Sequence, residues 1–424
     1  MQNRACTEVT VTFPTRIDTV LIVGNEHTKN HVILREIPFS FPDTLDEGNI
    51  LEIHNRIQNL YLFNRVELQV SKFEDLVVLM ISVTESWYFF PVPLLFINER
   101  DWSKLSYGLQ FNHYNFRGQN EKLFVGGWLG YDPSFFFTYL NPWFGKSKRI
   151  IWGFSAFHNK TTNKIFDFNE SRTGIRLKIG KQLTLKLKTD LEIVLQRISF
   201  PEAFQKYSVS KKGADFVPMI QYHILYDARD LYEYPKKGIF LDYVLQRSGF
   251  TEFQPQYWQF MFDNRIYKPI NQDITIAARN LVILTKGPLP IYNRPYFGYK
   301  ERIRGYFSRV FPDPVKFIRF NSPELSLTSL EIRFPLVPIK YFTYDNLPFL
   351  SMFSKNLKFG ISGGFFIDSG IAWQRKSEFN LRNFFTGYGG GLHIHLPYIN
   401  LLRFEHAWND QGQSQFIIDA GVAF

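Results

Sequence analysis

From about Tyr88 to Phe424 the chain alternates, apolar then polar, in one short segment after another, with turns between them. Leu105, Tyr107, Leu109 and Phe111 alternate with Ser106, Gly108, Gln110 and Asn112. Ile220, Tyr222, Ile224 and Tyr226 do the same around Gln221 and His223, as do Ile239, Leu241, Tyr243 and Leu245. At the end, Phe416, Ile418, Ala420, Val422 and Phe424 share one face. Successive side chains of a strand point to opposite faces, so this period of two specifies half-buried β-strands and excludes helices. About 16 such segments can be counted, an even number. A soluble sandwich or propeller would give the pattern, and so would a membrane barrel, which needs alternation along every strand.

Three features favour the barrel. Phe, Tyr and Trp recur near segment ends, as at a membrane interface. The faces opposite the apolar ones carry Gly, Ser, Gln, Asn and charge, which suit a wet interior. The last residue is an aromatic, Phe424. No stretch reaches the ~18 apolar residues of a membrane helix, and the longest apolar run, Tyr88–Ile97, contains Pro91 and Pro93. A mean hydropathy of −0.18 fits a soluble protein or a barrel equally.

The formal charge of +10 raises nucleic acid as a partner, but basic runs such as KSKR at 146–149 are short and lie between apolar segments. A generally basic surface is the better reading. A single cysteine, Cys6, excludes an internal disulfide framework and any cysteine-based zinc site. The opening MQNRACTEVTVTFP lacks the apolar core of a secretory leader. Either a leader is absent from this numbering, or the chain reaches its membrane without one.

Residues 16–84 have a different period. Arg16–Val23 reads as a strand ending at Gly24-Asn25, and Thr28 is placed to cap a first helix ending before Pro38. Ile50, Ile53, Ile57, Leu60 and Tyr61 recur at helical steps. Val66, Leu68 and Val70 alternate, and Leu76–Val83 reads as a buried strand. The order β-α-α-β-β predicts a small α+β domain with helices on one face of its sheet.

The segments TVLIVGNEHTKNHVILREIPF (19–39), RIQNLYLFNRVELQV (56–70) and VTE (83–85) resemble a POTRA domain. The rest resembles the barrel of the BamA-type outer-membrane assembly and transport superfamily, also called the bacterial surface antigen superfamily. The matching stretches are NFRGQNEKLFV (115–125), YLNPWFG (139–145), YDARDLYEYPKKG (226–238), RIRGYF (302–307), EIRFPL (331–336) and FFIDSG (365–370), in the family's order. The resemblance implies an extension at 1–15, one POTRA domain at 16–86 and a transmembrane barrel of about 16 antiparallel strands at 87–424. A loop at about 287–313 is implied to fold back inside. Three departures concern the branch of the family and not the fold: one POTRA domain instead of several, a glycine pair reduced to Phe297-Gly298-Tyr299, and loops that are short apart from 287–313.

The implied loop carries Ile303, Arg304, Gly305 and Tyr306, and strand parity supplies partners for its cation. Phe359, Ile361, Phe365 and Ile367 form an apolar face, which turns Phe366 and Asp368 to the interior. Leu330, Ile332 and Phe334 do the same for Glu331 and Arg333. With the resemblance, Arg304 is expected to pin the loop to Asp368 and Glu331, with Phe366 packed beside it. A guanidinium can fork onto carboxylates where a lysine cannot, and Gly305 would permit the tight backbone. Without the resemblance, the alternative reading is a solvated Arg304, with both carboxylates lining a wet pore.

A closed barrel joins its first strand to its last. Pro91 and Pro93 lack N–H donors, and Gly421 near Phe424 packs little, so a weak seam is expected between strands 1 and 16. The prolines could instead lie before the paired region. No phosphate loop or nucleotide fingerprint is present. Ser362 of GISGG lies within a strand, and His393 and His395 lack a third ligand, so neither enzyme chemistry, cofactor nor metal is expected. The expected function is an outer-membrane assembly factor that inserts or translocates β-barrel-type clients through the seam. Its partners would be unfolded client proteins and the lipid bilayer, with accessory lipoproteins allowed and nucleic acid not, and its POTRA domain would lie in the periplasm of a Gram-negative bacterium. The alternative is a two-partner-type secretion pore exporting a protein through the lumen. A passive porin-like channel is disfavoured, since diffusion needs no client-binding module.

Overall fold

The structure, a computed structural model, describes residues 13–73, 75–97, 102–145, 148–163, 168–295, 297, 303–306, 322–343, 355–398 and 400–424. Residues 1–12 of the expected extension, with Cys6, and residues 296, 298–302 and 307–313 of the expected infolded loop lie outside them.

The N-terminal unit runs β1 (Thr15–Ile17), β2 (Thr19–Val23), α1 (Asn30–Leu34), β3 (Asp43–Leu45), α2 (Glu47–Gln58), β4 (Phe63–Phe73) and β5 (Leu76–Glu85). Its main sheet is ordered β2-β5-β4, with β2 parallel and β4 antiparallel to β5; β1 and β3 form a separate pair. The single strand expected at 16–23 is broken at Asp18, whose backbone and carboxylate both bond Val77. α2 begins with a capping box, in which Asp46 and Asn49 exchange side-chain to backbone hydrogen bonds of 2.7 and 3.0 Å. Its apolar stripe buries Ile53 and Ile57 against Leu79 and Ile81, in a core that also takes in Ile17, Val32, Ile33 and Leu45.

Thr28 does not cap α1, whose N-cap is Lys29. The Thr28 hydroxyl instead meets the Tyr88 hydroxyl at 3.0 Å and accepts from the Asn115 amide at 2.9 Å. A residue with good capping chemistry is thus used to dock the unit onto the large sheet.

That sheet is antiparallel and has 16 strands: β6 (Phe89–Ile97), β7 (Leu105–Phe116), β8 (Glu121–Gly130), β9 (Ser134–Phe144), β10 (Ile150–Asn163), β11 (Phe168–Gln182), β12 (Leu187–Ser199), β13 (Ala214–Asp227), β14 (Gly238–Ser248), β15 (Tyr257–Pro269), β16 (Thr275–Lys286), β17 (Glu324–Phe342), β18 (Leu357–Trp373), β19 (Phe385–Leu396), β20 (Asn400–Asn409) and β21 (Ser414–Ala420). Each strand pairs with its chain neighbour, so the hydrogen-bonded order is the chain order. The period of two is realised throughout. Along β12, Asp190, Val194, Gln196 and Ile198 are buried while Leu191, Ile193 and Leu195 are exposed.

The sheet curls so that its first strand comes near the turn between β19 and β20. The ring of Phe90 in β6 lies 5.9 Å from that of Tyr398, between β19 and β20. The N-terminal unit sits against one mouth of the curl: Lys29 donates to the Gly118 carbonyl at 2.9 Å, Arg35 stacks 4.9 Å from Trp143, Asn59 bonds Asp230, and Thr84 accepts from Asn356 at 2.8 Å. Those partners lie on the turns after β7, β13 and β17 and, for Trp143, at the end of β9, around the rim.

The closed cylinder expected from the sequence needs one correction. Among the described residues, no hydrogen-bonded ladder joins β6 to β21, and each keeps one unpaired edge. The face expected to run on to Phe424 stops early, because β21 ends at Ala420 and the backbone turns at Gly421 with φ +82°. Phe424 then lies buried inside, against Tyr267 and Ala277.

Candidate functional site

The inner wall of β17–β20 carries a charged cluster, for which alternation is the cause. On β17 Leu330 and Ile332 are exposed while Glu331 and Arg333 are 1 % exposed; on β18 Phe365 and Ile367 are exposed while Phe366 and Asp368 are buried. β20 repeats the pattern, with Arg403, Glu405, Ala407 and Asn409 inside and Trp408 outside.

Arg304 enters this cluster from the segment between β16 and β17. Its Nε and Nη2 fork onto Asp368 at 2.7 and 2.9 Å, and its backbone N–H adds a third bond to the same carboxylate at 3.0 Å. Nη1 donates to Glu331 at 2.9 Å and to Glu405 at 3.0 Å. The guanidinium carbon lies 3.5 Å from the centre of the Phe366 ring. The guanidinium makes four side-chain bonds here, two of them a fork onto one carboxylate, whereas an ammonium has three donors and no fork. The carboxylates are shared onward: Arg333 donates to Glu331 at 2.7 Å and Arg403 to Glu405 at 2.8 Å. Ile303 and Tyr306 are buried beside Phe297, Leu325, Leu327 and Phe385, and the Tyr306 hydroxyl bonds Asp410.

Two glycines make the approach possible. Gly305 has φ +96°, and its carbonyl accepts from Asn409 at 3.1 Å. On the wall, a Cβ at Gly387 would stand 1.7 Å from the Arg304 carbonyl oxygen, so only glycine fits there.

The same loop has a second fastening on another part of the wall. The Tyr292 hydroxyl donates to Asp215 of β13 at 2.6 Å, and Arg172 of β11 donates to the Tyr292 carbonyl at 2.5 Å and to the Asn293 side chain at 3.2 Å. Tyr292 packs with Phe168, Ile198, Phe200 and Val217. Between β11/β13 and β17–β20 the loop is tied at two places on the inner surface.

Glu405, Gly387 and the Tyr292 fastening were missed by sequence reasoning. Glu405 was legible, because RFEHAW alternates as β17 and β18 do. Gly387 and Asp215 carry no local signal.

At the seam, Pro91 and Pro93 lie inside the paired region, opposite Phe111 and Leu109 of β7. Standing two residues apart, they remove two donors from one edge of β6. No residue of β6 is buried. The carbonyl of Gly421 accepts from Arg403 at 2.7 Å, which ties the inward turn to the charged cluster. A 260 Å³ cavity lies between the N-terminal unit and the barrel wall, lined in part by Tyr61, Phe90, Tyr114, Lys358 and Tyr398.

His393 and His395 both face inward and are buried. His393 meets the Tyr234 hydroxyl at 2.9 Å, and His395 meets Ser362 at 2.9 Å. The other nitrogen of His395 lies 3.9 Å from Glu233, too far for a hydrogen bond, so Ser362 has no oriented base. Among the described residues no group of three or more His, Cys, Asp or Glu side chains is placed to hold a metal.

Residues 115–424 match the Omp85 superfamily domain. The fold is similar to that of Haemophilus ducreyi BamA lacking POTRA domains 1–3, with a TM-score of 0.56 and 16% identity over 96% of this chain and 83% of that one. It is equally similar to Escherichia coli CdiB, with a TM-score of 0.57 and 13% identity over 97% of this chain and 77% of that one. At such identities the likeness concerns the fold. No curated protein sequence matches the chain significantly.

Proposed function

Because the chain belongs to the Omp85 superfamily, we propose that it is a non-enzymatic outer-membrane factor that inserts β-barrel-type clients into the bilayer across the β6/β21 seam. The observation that carries this reading is the pair of unpaired strand edges. An edge strand presents a row of free N–H and C=O groups, on which an incoming strand can be templated by β-augmentation. β6 offers nine residues of such edge, thinned by Pro91 and Pro93, and β21 offers seven. Closing an ordinary barrel would consume both.

We read the N-terminal unit as a single POTRA domain that receives unfolded clients on the periplasmic side of a Gram-negative outer membrane. Its mixed sheet with two helices supports this, and so does the extent of the BamA likeness: the barrel strands occupy about four-fifths of the chain, so an overlap of 96% takes in the N-terminal unit. Accessory lipoproteins are compatible partners. A secretion pore is the competing reading, and the likeness to CdiB equals that to BamA. The loop fastened at both Asp215 and Asp368 favours insertion, because a client threading the lumen would have to displace a strap held at two points.

The test is a disulfide between cysteines placed in β6 and β21, in the background Cys6→Ser. Locking the seam is expected to abolish insertion of client barrels into liposomes and to leave the factor folded. Continued insertion with the seam locked, or export of a client through the locked barrel, would overturn the reading.

A further inference from the structure

The motif YDARDLYEYPKKG spans the turn between β13 and β14, and this turn, residues 228–237, does two things at once. On its outer side it is held by the N-terminal unit. The Asn59 side chain, at the end of α2, donates to the Asp230 carbonyl at 2.9 Å and accepts from the Tyr232 backbone at 2.8 Å. On its inner side it reaches into the charged cluster. The Tyr234 hydroxyl meets His393 Nδ1 at 2.9 Å, and the Arg333 guanidinium stacks 4.9 Å from the Tyr234 ring. The next residue back, Glu233, pairs with Lys358 of β18.

We propose that this turn is a mechanical link between the N-terminal unit and the Arg304 fastening, and that Tyr234 is the positioning residue that joins them. Two short routes lead from Tyr234 to Arg304. One runs through His393, whose Nε2 lies 3.5 Å from the Glu405 oxygen that Arg304 also holds. The other runs through Arg333 and Glu331. Both end on carboxylates that Arg304 holds in place, so a shift of Tyr234 alters two of its three partners.

The turn is stiff enough to carry such a shift. Asp230 bonds the backbone of Leu231 at 2.8 Å and of Lys236 at 3.0 Å, and its own N–H bonds the Lys237 carbonyl at 2.9 Å. Arg229 forks onto Asp227 at 2.9 and 2.7 Å while stacking between Phe240 and Tyr232. A braced turn moves as a body, and tilting the N-terminal unit pulls it through the Asn59 clamp. The consequence is reciprocal: docking of the unit stabilises the fastened loop, and fastening of the loop stabilises the docked unit.

The test uses the full chain in detergent micelles, with Cys6→Ser and a reporter cysteine in the fastened loop, Ile303→Cys. Ile303 is 1 % exposed, so its labelling by a maleimide reports release of the loop. Asn59→Ala and Tyr234→Phe are each expected to speed labelling by about fivefold or more, the lower range of coupling between sites. The double variant is expected to add little to the larger single effect, since both cut one link. Labelling of Asn59→Ala at the parent rate would overturn the proposal, as would two effects that multiply. Should Tyr234→Phe not reach the folded barrel, judged by its electrophoretic mobility before boiling, Asn59→Ala alone decides. The readout is independent of client insertion, so it stands or falls apart from the proposed function.

Discussion

The N-terminal unit and the barrel differ in what they bury: the barrel encloses charged side chains as well as apolar ones. In the first, the fully enclosed side chains of the central cluster are Ile17, Val32, Ile33, Leu45, Ile53, Ile57, Leu79 and Ile81. In the second, the enclosed set includes Glu121, Glu331, Arg333, Asp368 and Glu405, while Phe365 and Leu95 are 63 and 72 % exposed. One chain thus follows two burial rules. The first unit is built for water outside and a dry core. The second is built for hydrocarbon outside, where apolar side chains lose nothing by exposure, and for a polar interior in which each charge has to find a partner.

The comparison can be broken most severely at Arg304. Arg304→Ala would leave Asp368 without its cation and take one partner each from Glu331 and Glu405, which keep Arg333 and Arg403, and breaking a buried pair costs ~3–5 kcal/mol. The expected outcome is loss of the folded barrel's heat-resistant mobility or a sharply lowered urea midpoint, with Arg304→Lys failing to restore it. Next come paired substitutions that sharpen the contrast. Ile81→Ala in the dry core should destabilise its unit by ~2–5 kcal/mol, whereas Ile367→Ala on the outer face should change little in micelles. Replacing Phe365 by Arg should cost the barrel ~2–4 kcal/mol if that face meets the middle of a bilayer. Refolding into liposomes at graded urea measures both, and tolerance of Arg at 365 would refute the lipid-facing assignment.

A smaller loss is expected from Tyr292→Phe. It removes one donor from Asp215, which keeps backbone bonds from Val209 and Ser210, so a cost near ~1 kcal/mol is reasonable. Faster proteolysis between β16 and β17 would report it. The smallest effect concerns the joint between the two regions. Burial tends to raise the pKa of Glu85, but hydrogen bonds from Thr28 and His27 outweigh it and hold the carboxyl below its ordinary value. A depressed carboxyl contributes stability that is present above its unfolded value of ~4.3 and is lost as pH falls through the lower folded value. Docking of the Thr28 segment should therefore weaken in that acid range, and Glu85→Gln should flatten the dependence. Hydrogen exchange at Thr28 and Asn115 would follow it.

Much of the site was legible because side-chain direction in a strand is local. Parity alone turned Glu331, Arg333, Phe366 and Asp368 inward, and the same reading would have found Glu405 on β20. Thr28 shows the limit: its capping chemistry was correct in kind, but the docked barrel competes for the same oxygen and takes it. The end of the chain shows another. Alternation carried the last strand on to Phe424, whereas Gly421 turns the backbone inward and Arg403 holds the turn.

What the sequence determined by itself was the face on which each residue lies, since a period of two is written in neighbouring residues and needs no partner. Which residues meet was decided only by the tertiary structure. Arg304 and Glu405 are 101 positions apart, Asn59 and Asp230 171 apart. The curl of the sheet and the infolding of its loops brought them together, and the physical reason is that curvature, stagger and loop reach are properties of the whole wall. No single strand encodes them.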